Sequence, residues 1–541
     1  MSRGSKFAMG LDFGTESVRA LIVDLNGNQV GAATVKYPHG QIIDVLPGTQ
    51  KQLPADFALQ HPQDWIDASA KAVKRARRQA GIEARQIIGI GVDFTSCTML
   101  PTKRDGTPLC MLSRYAKQPL AWPKLWKHHA AQQQTDRINE VARKRKESFL
   151  NRHGGIIGLE WFFPKILETL EKAPSIYQAT EVWLEAGDWY VWQLTGGDAD
   201  TLPRSTCQAG YKGMWSATDG FPSRRFLKAV NRDLADVVSD KMPGRFVAPG
   251  QIAGELTPDM AKRMGLVAGI PVSAAIIDAH AGVPGAGAAE PGTLVMVLGT
   301  SSCHMLNAER DPFIPGTSGV VADGILPGYF GYETGQAAVG DAFDWLRRTV
   351  GHKNFDQLGP AAANLPPGTD GVMCLDWMNG CRTPLMDGSV KGAFTGLTLS
   401  TTPAHLYRAL LEASAYGVRW IVELLEKGKV PVDRFIATGG LPHHNPLVVQ
   451  VYADVLGKPV LIHPSKQGPA LGAAILGVLA AGKPASGFGS AGAAIRAMAG
   501  TKRGVKGREA IVVRPKKANA KAYDHGYRAY HELAEFVRTR S

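Results

Sequence analysis

Residues 9–24 read MGLDFGTESVRALIVD, and residues 293–305 read TLVMVLGTSSCHM. Each stretch consists of an apolar strand, a turn of the form Gly-Thr-x-Ser and a second strand, and the two turns lie 285 residues apart. Glycine lets the backbone come close to a ligand, and successive backbone N–H groups can bind an anion. The two turns are therefore predicted phosphate-binding sites in two related halves of the chain. Two coincidental strand turns are the alternative interpretation.

The segments around these two turns predict a mixed α/β protein. Asn26 and Gly27 predict a hairpin turn between two strands, and Thr402 with Pro403 predicts the start of a helix that extends to Leu424. The Pro- and Gly-rich segment 283–292 predicts a division into domains 1–287 and 288–541, with the ligand cleft at that point. Predicted strands lie at 9–13, 18–24, 29–35, 87–94, 271–277, 294–298 and 434–438.

Composition excludes several classes of protein. The chain has 541 residues, of which 44% are apolar and 20% charged, so it is too long for a single small binding module and is not typical of a disordered chain. Its most apolar segment, 469–481, is shorter than the roughly 18 residues of a membrane span and predicts a buried helix.

Six cysteines without a CxxC pair argue against structural zinc and a disulfide framework. No apolar leader precedes the first strand, so we expect a cytoplasmic location without a membrane partner.

The net charge of +13 is concentrated near the C-terminus, where residues 501–541 contain eleven Lys or Arg and four Asp or Glu. The same segment has an apolar stripe at helical spacing, which predicts a basic helix docked on a core. A solvated basic face is favoured over a nucleic-acid site, because charge balance bears first on solubility and nonspecific binding. The stripe consists of Tyr523, Tyr527, Tyr530, Leu533 and Val537.

The motifs favour phosphate chemistry. The sequence has no GxxxxGK[ST] loop, no HExxH and no GxSxG, which disfavours P-loop, metalloprotease and α/β-hydrolase mechanisms.

Asp12 precedes the first glycine turn and could hold Mg²⁺ through water, or it could bond the amides of that turn. Asp278 ends a predicted strand, where open α/β sheets bind ligands, or it could be a helix N-cap. Gly439 and Gly440 could form a flat wall against an adenine ring, and Asn445 before Pro446 also suits a helix start.

Two segments carry a resemblance to a known family. Residues 392–397, GAFTGL, and residues 405–412, HLYRALLE, resemble the second signature of the FGGY carbohydrate kinases. Residues 163–167, FPKIL, resemble the first signature, although Glu168 stands where that pattern usually has tryptophan. The resemblance covers nearly the whole chain. The stretches most similar to the L-ribulokinase branch of the family lie at 37–40, 92–101, 124–132, 185–189 and 324–329.

This resemblance implies a two-lobed α/β fold of the actin and hexokinase type, with duplicated ribonuclease H-like domains and a central cleft. It implies transfer of the ATP γ-phosphoryl group to the 5-hydroxyl of L-ribulose, with Mg²⁺. Asp278 resembles the catalytic base, and Lys212 and Glu333 resemble the sugar-binding pair. Ser96 falls where L-ribulokinases usually place an alanine against the sugar, so an added hydroxyl is expected there.

The first domain is expected to bind sugar and phosphate, and the second to bind the nucleotide. Asp12 is expected to hold Mg²⁺ through water. No nucleic-acid partner is expected, and a homodimer is left open. The residues expected to bind ATP are Gly14, Thr15, Glu16, Gly299, Thr300, Ser301, Gly340, Gly439, Gly440 and Asn445.

Three alternatives stand beside this interpretation. One is a kinase for another ketopentose or polyol, such as D-ribulose, xylulose or ribitol. The second is an actin-like nucleotide switch without a sugar, which would bind ATP tightly and show no sugar-stimulated hydrolysis. The third is a basic nucleic-acid binder, whose affinity would fall steeply with salt.

Overall fold

The computed structural model describes residues 5–501 and 509–540. The chain forms two compact units. The first contains Met1–Ala289, Val320–Gly331 and Gln467–Gly500, and the second contains Glu290–Gly319, Tyr332–Lys466 and Thr501–Ser541. Two segments after the predicted division at 287/288 therefore pack with the first unit, so the units do not follow a single cut in the chain.

The secondary structure is a mixture of strands and helices. The strands are β1 (Phe7–Phe13), β2 (Ser17–Asp24), β3 (Gln29–Lys36), β4 (Ile87–Phe94), β5 (Met99–Thr102), β6 (Val182–Glu185), β7 (Pro203–Ser205), β8 (Arg245–Val247), β9 (Ile252–Glu255), β10 (Pro271–Ser273), β11 (Ile276–Ile277), β12 (Thr293–Leu298), β13 (Ser302–Ala308), β14 (Gly319–Ala322), β15 (Phe330–Gln336), β16 (Met373–Leu375), β17 (Ala393–Thr395), β18 (Arg434–Thr438), β19 (Val460–Ile462) and β20 (Ile511–Val513). The α-helices are α1 (Pro62–Ala80), α2 (Gln132–Arg145), α3 (Phe162–Lys172), α4 (Pro174–Ala179), α5 (Ala186–Thr195), α6 (Thr206–Lys212), α7 (Arg224–Val230), α8 (Val237–Lys241), α9 (Pro258–Met264), α10 (Asp278–Gly285), α11 (Gly340–Thr349), α12 (Leu358–Ala363), α13 (Pro403–Lys427), α14 (Leu441–His444), α15 (Pro446–Leu456), α16 (Gly468–Ser486), α17 (Ala491–Met498) and α18 (Ala520–Arg538).

The first unit is built on a sheet with the strand order β3-β2-β1-β4-β10-β9, and β11 also pairs with β4. Strands β1 and β2 are antiparallel, and β1 and β4 are parallel. The strand predicted at 271–277 is interrupted, because the N–H of Ala274 bonds the carbonyl of Gln251 between β10 and β11. Since parallel strands end at the same edge of a sheet, residues that follow β1, β4 and β11 are brought together.

The sheet of the second unit repeats this plan. It runs β15-β13-β12-β18-β19-β20, with β12 and β13 antiparallel and β12 and β18 parallel. Thus β12, β13 and β18 correspond to β1, β2 and β4, and each pair of antiparallel strands flanks one of the two Gly-Thr turns. The strand-turn-strand repeat read from the sequence is therefore a structural repeat.

Helix α16 lies in the core of the first unit, as the segment 469–481 predicts. Glycines on the strands allow its backbone to approach the sheet closely: a Cβ added to Gly91 of β4 would lie 1.7 Å from the carbonyl oxygen of Ala473, and one added to Gly10 of β1 would lie 1.9 Å from that of Ala470. Among the described helices, α16 alone has the length and mean hydropathy, 1.2, of a membrane span. Its packing against β1 and β4 explains that composition as a core helix.

Two predicted helices border the core of the second unit. Thr402 and His405 form a capping box at the start of α13, which ends at Lys427 rather than 424. Of the predicted stripe on α18, the three tyrosines are buried, and Tyr416 of α13 lies against all of them. Leu533 and Val537 are half-buried. The basic residues at 502–508 lie outside the described part of the chain.

Candidate active site

Three carboxyl groups meet at the carboxyl edge of the first sheet. Asp12 of β1 lies opposite Asp93 of β4, and Asp93 lies opposite Ile276, two residues before Asp278. Asp93 is fully buried, and burial, followed by the charges of Asp12 and Asp278, raises its pKa well above the usual value. Within the described residues no N–H or O–H group donates to its oxygens, so its carboxyl can bond that of Asp12 only through a shared proton.

Asp12 is paired with a cation in this cluster. Burial raises its pKa, and the charge and hydrogen bond of Arg19 oppose that effect. The Arg19 guanidinium donates to Oδ2 of Asp12 at 3.0 Å, and the Asp12 side chain retains 13% exposure. Within the described part of the chain, the Asp12 carboxyl interacts with Arg19 and Asp93, and no amide of the turn donates to it. A partly exposed carboxylate beside a glycine turn suits a water-bridged Mg²⁺.

Asp278 is the first residue of α10 and directly follows β11. The N-cap of that helix is Ile277, so the N-cap interpretation of Asp278 is wrong. Its Oδ1 accepts a hydrogen bond of 2.7 Å from the N–H of Ala279, and its side chain is half-buried. This arrangement leaves a carboxylate at the edge of the sheet with part of its surface accessible to a ligand.

The first glycine turn is held by side chains from other segments of its unit. Gly14 donates its N–H to the carbonyl of Ser17 at 3.0 Å, and an added Cβ at Gly14 would meet no atom closer than 3.5 Å. Trp126 donates its indole N–H to Oγ1 of Thr15 at 3.1 Å. Glu16 is exposed and accepts a hydrogen bond from Gln41. The Glu16 carboxylate therefore already has a protein partner, whereas the surface above Gly14 is open.

Ser96 and Lys212 lie in the same unit as Asp278. Ser96 is half-buried in the loop that follows β4, and Lys212 is the last residue of α6, with 7% exposure. The Lys212 ammonium lies 5.3 Å from the ring centroid of Trp161, which is a cation–π contact. The neighbouring residue of Ser96, Cys97, lies close enough for its thiol and Lys212 to affect one another.

A buried lysine connects the loops that carry Ser96 and Trp126. Lys165 donates to the carbonyl of Cys97 at 2.7 Å and to the carbonyl of Leu125 at 2.9 Å, and it has no exposed surface. Burial lowers its pKa, while nearby acidic groups oppose that effect. Sequence reasoning gave this residue no role, although the central lysine of the first signature was the available signal.

Glu168, the departure from that signature, belongs to a buried polar pair. His128 donates Nε2–H to Oε2 of Glu168 at 2.8 Å, and both side chains are fully buried. Burial lowers the pKa of His128 to about 4, which keeps the imidazole neutral. Burial alone would raise the pKa of Glu168, but the hydrogen bond from His128 and nearby cations lower it to about 2. Lys172 bonds Oε1 of Glu168 at 3.1 Å, so a neutral His and a cation together satisfy the carboxylate.

The second glycine turn is packed against the start of α11. Gly299 donates to the carbonyl of Ser301 at 3.0 Å, and Gly340 donates to the carbonyl of Gly299 at 3.0 Å. The carbonyl of Thr300 accepts from Val339 at 2.9 Å. A Cβ at Gly340 would lie 2.6 Å from the Gly299 oxygen, so this position requires glycine. Like Gly14, Gly299 itself has open space beside it.

A cavity of about 510 Å³ lies beside this turn in the second unit. Gly340 and Asn445 line it, together with the rings of Phe343, Phe355 and Tyr407. Asn445 caps α15 and also donates Nδ2–H to the hydroxyl of Tyr407 at 2.8 Å, so the helix-start interpretation of Asn445 holds beside its place in the cavity. A mainly apolar wall that includes three aromatic rings suits a planar base.

Gly439 and Gly440 directly follow β18 and do not line the cavity. Gly439 has a φ of 91°, and a Cβ there would lie 2.5 Å from the carbonyl oxygen of Leu298. A Cβ on Gly440 would meet no atom within 4 Å. Gly439 is therefore required by the backbone, whereas Gly440 leaves an open surface.

Glu333 lies on β15 and forms an ion pair with Arg382. Its side chain is 4% exposed and that of Arg382 is 24% exposed. Sequence reasoning placed Glu333 in a sugar site and missed Arg382, which lies 49 residues away in the chain. No motif marked this pairing, because it depends on the fold of the second unit.

One further group of side chains has the composition of a metal site. His39, His61 and Asp64 lie close together, and His39 bonds Asp64 at 2.9 Å. The two imidazole rings are stacked, with centroids 4.4 Å apart and planes 11° apart. Their lone pairs therefore lie in two nearly parallel planes, which disfavours binding of one ion by both rings, and Nδ1 of His61 already accepts from the N–H of Gln63. This geometry favours a stacked histidine pair.

The first unit thus contains Asp12, Gly14, Thr15, Glu16, Ser96, Lys212 and Asp278, and the second unit contains Gly299, Thr300, Ser301, Glu333, Gly340, Gly439, Gly440 and Asn445. Each unit brings its own set to strand ends or glycine turns. The contacts that sequence reasoning missed are those of Asp93, Trp126, Lys165, Arg382 and the aromatic cavity wall.

Comparison with known proteins identifies two family domains along the chain. Residues 7–285 match the N-terminal domain model, and residues 294–481 the C-terminal domain model, of the FGGY family of carbohydrate kinases. A ribulokinase of Geobacillus thermodenitrificans is 44% identical over 98% of this chain and 95% of its own length. A ribulokinase of Mycolicibacterium smegmatis is 44% identical over 88% of this chain and 86% of its own length.

Solved structures give the same fold. A xylulose kinase from Rhodospirillum rubrum has a TM-score of 0.80 and 23% identity, with 99% of each chain covered. A glycerol kinase from Plasmodium falciparum has a TM-score of 0.76 and 16% identity, with 98% of each chain covered. The predicted α/β fold of two related domains is therefore confirmed.

Proposed function

Because this chain belongs to the FGGY family of carbohydrate kinases, we propose that it transfers the γ-phosphoryl group of ATP to the 5-hydroxyl of L-ribulose. The observation that carries this proposal is the full-length similarity, at 42–44% identity, to curated relatives named ribulokinase. The residues described above supply, each within its own unit, the kinds of groups that such a reaction needs: a carboxylate, open glycine turns and a cavity with aromatic rings.

Asp278 is the general base of the proposed reaction. Phosphoryl transfer proceeds through a loose transition state, so the enzyme mainly positions the reactants and neutralises charge. The hydroxyl proton leaves late, and a carboxylate of ordinary basicity can accept it. The partly accessible Asp278, fixed by the N–H of Ala279, is suited to accept that proton.

The glycine turns provide phosphate contacts. The N–H groups of Gly14 and Gly299 already bond Ser17 and Ser301, so the phosphate contacts would come from the amides and hydroxyls of Thr15, Thr300 and Ser301, with no Cβ in the way at either glycine. Asp12 would hold Mg²⁺ through water, and the metal, when bound, neutralises phosphate charge. Arg19 donates to one oxygen of the Asp12 carboxylate, and the buried Asp93 lies opposite Asp12 in the sheet.

The cavity lined by Phe343, Phe355 and Tyr407 would take the adenine ring. Asn445 lies at its edge with its amide fixed by Tyr407, and Gly440 leaves open surface nearby. For the sugar, Lys212 and Glu333 would bond hydroxyl groups and Ser96 would add one hydroxyl to the pocket wall. A site with buried polar groups rejects an analogue that leaves those groups unpaired.

We place the activity in the cytoplasm. All six cysteines are free thiols, and five of them are buried. Chains that carry several unpaired thiols are typical of reducing compartments. Sugar phosphorylation by ATP also requires the nucleotide pool of that compartment.

A panel of sugars tests the proposed substrate. We expect ATP turnover, measured with a coupled ADP assay, to be highest in kcat/KM with L-ribulose and lower with D-ribulose, L-xylulose, D-xylulose, ribitol and glycerol. A higher value for another sugar would transfer the assignment to that sugar. ATP binding without turnover on any of them would favour a nucleotide switch.

A further inference from the structure

Arg382 lies in a short loop that is tied to β15 of the second unit. The N–H of Thr383 donates to the carbonyl of Gly335 at 3.1 Å, and the N–H of Gly335 donates to Oγ1 of Thr383 at 3.3 Å. At the base of the loop, Cys381 and Asp387 exchange two backbone hydrogen bonds of 2.8 Å. The backbone of Arg382 is therefore fixed beside the strand that carries Glu333.

The guanidinium group of Arg382 is held by side chains from two further segments. Nε donates to Oγ of Ser318 at 3.0 Å, and one terminal nitrogen donates to Sγ of Cys303 at 3.5 Å. The other terminal nitrogen donates to Oε1 of Glu333. Because the guanidinium is a rigid planar fork, these contacts fix its orientation, which a lysine ammonium could not reproduce.

The burial of Glu333 makes this ion pair consequential. A carboxylate with 4% exposure is costly to keep ionised without a cationic partner. Arg382 supplies that charge within the same unit, and Ser318 reinforces the arrangement, since its N–H also donates to the carbonyl of Glu333 at 2.8 Å. The Arg382 side chain also reaches Cys303, two residues after Ser301 of the glycine turn.

We infer that Arg382 is a positioning residue of the sugar site, which holds the Glu333 carboxylate ionised and in one orientation so that it accepts hydrogen bonds from sugar hydroxyls. This inference rests on the proposed role of Glu333. It makes sugar preference depend on a residue that need not touch the sugar, and it links the strand of Glu333 to the strand that follows the second glycine turn.

The test is a double-mutant cycle on the full chain, with Arg382→Lys, Arg382→Met, Glu333→Gln and Arg382→Met/Glu333→Gln. We expect Arg382→Met to lower kcat/KM for L-ribulose by about 10-fold or more, the loss of a charged hydrogen bond, while KM for ATP stays within about twofold. Arg382→Lys should keep the charge but lose the fork, and should retain only part of the activity. If Arg382 acts through Glu333, the double variant should be no worse than Glu333→Gln alone.

The outcomes separate this inference from the proposed function. If Glu333→Gln leaves the KM for L-ribulose unchanged, Glu333 is not a sugar contact and the inference falls with it. The proposed sugar contact instead requires that Glu333→Gln lower kcat/KM for L-ribulose. If the loss caused by Arg382→Met then adds fully to that of Glu333→Gln, or if Arg382→Met raises KM for ATP as much as KM for L-ribulose, Arg382 acts elsewhere and the inference alone is overturned. Thermal unfolding of each variant, matched by Arg419→Met at another ion-paired arginine of the second unit with 25% exposure, controls for loss of structure, and Arg382→Lys provides the folded test if Arg382→Met unfolds.

Discussion

Replacing Asp278 with asparagine should lower kcat for L-ribulose phosphorylation by about 10²- to 10⁴-fold. Asparagine preserves the shape of the side chain and its acceptor for the N–H of Ala279, but it cannot take the hydroxyl proton. The loss should therefore fall on kcat, whereas the affinity for L-ribulose should change little. Steady-state kinetics with the coupled ADP assay, together with calorimetric titration of the sugar, would separate these two effects.

Asp259→Asn is the matched control for this substitution. Asp259 also lies in the first turn of a helix, α9, of the same unit, and it is exposed. It should retain the kcat of the unchanged protein. Near-normal turnover of Asp278→Asn would remove Asp278 from the role of base, and an equal loss in Asp259→Asn would assign the effect to helix stability.

Glu168→Ala should lower the free energy of unfolding by about 1–3 kcal/mol, because it leaves the buried Nε2–H of His128 without its acceptor. His128 would lose the acceptor of its Nε2–H in a site with no exposed surface, and Lys172 would lose its ion pair. The segment of His128 lies next to Trp126, which bonds Thr15 of the first glycine turn. Equilibrium unfolding in urea would measure the loss.

Glu168→Gln is the conservative counterpart. Glutamine keeps an oxygen that accepts the hydrogen bond from His128, so Glu168→Gln should lower the free energy of unfolding clearly less than Glu168→Ala does. Glu140→Ala, in a solvent-exposed i,i+4 pair with Lys144, should lower the free energy of unfolding only slightly. A loss of that small size for Glu168→Ala would contradict a structural role for the buried pair.

The fold was readable from the sequence where local patterns decide it. The Gly-Thr turns, the strands at 87–94 and 434–438 and the helix after Thr402 all follow from apolar periodicity and capping residues. The interruption between β10 and β11 could not be predicted from the sequence. The N–H of Ala274 bonds the carbonyl of Gln251 there, and a continuous apolar run gives no sign of that hydrogen bond. The assignment of α16 to the first unit depends on contacts of Gly10 and Gly91 that are distant in the chain.

The candidate site was readable only in part, for the same reason. Asp12, Asp278 and the glycines stand at strand ends, where sequence position alone suggests a role. Asp93 also stands at a strand end and was the one carboxylate of this edge without an assigned role, although strand order places it beside Asp12. Arg382 and Lys165 act through partners tens of residues away, so their roles appear only when the chain is folded.

The glutamate at position 168 shows how a departure from a family pattern becomes interpretable. In the sequence it is an exception to a signature that usually has tryptophan there. In the structure it is fully buried and is bonded by His128 and Lys172, which supply the hydrogen bond and the charge that an apolar ring would not need. His128 and Lys172 thus provide the partners that a buried glutamate requires at this position.

The position of the transferred phosphoryl group tests the central claim most directly. L-ribulose labelled with ¹³C at carbon 5 would be incubated with ATP, Mg²⁺ and the protein, and the product examined by ³¹P and ¹³C NMR. The account predicts a phosphomonoester whose phosphorus couples to the labelled carbon 5. Phosphate on another carbon, or release of inorganic phosphate without a sugar phosphate, would contradict it.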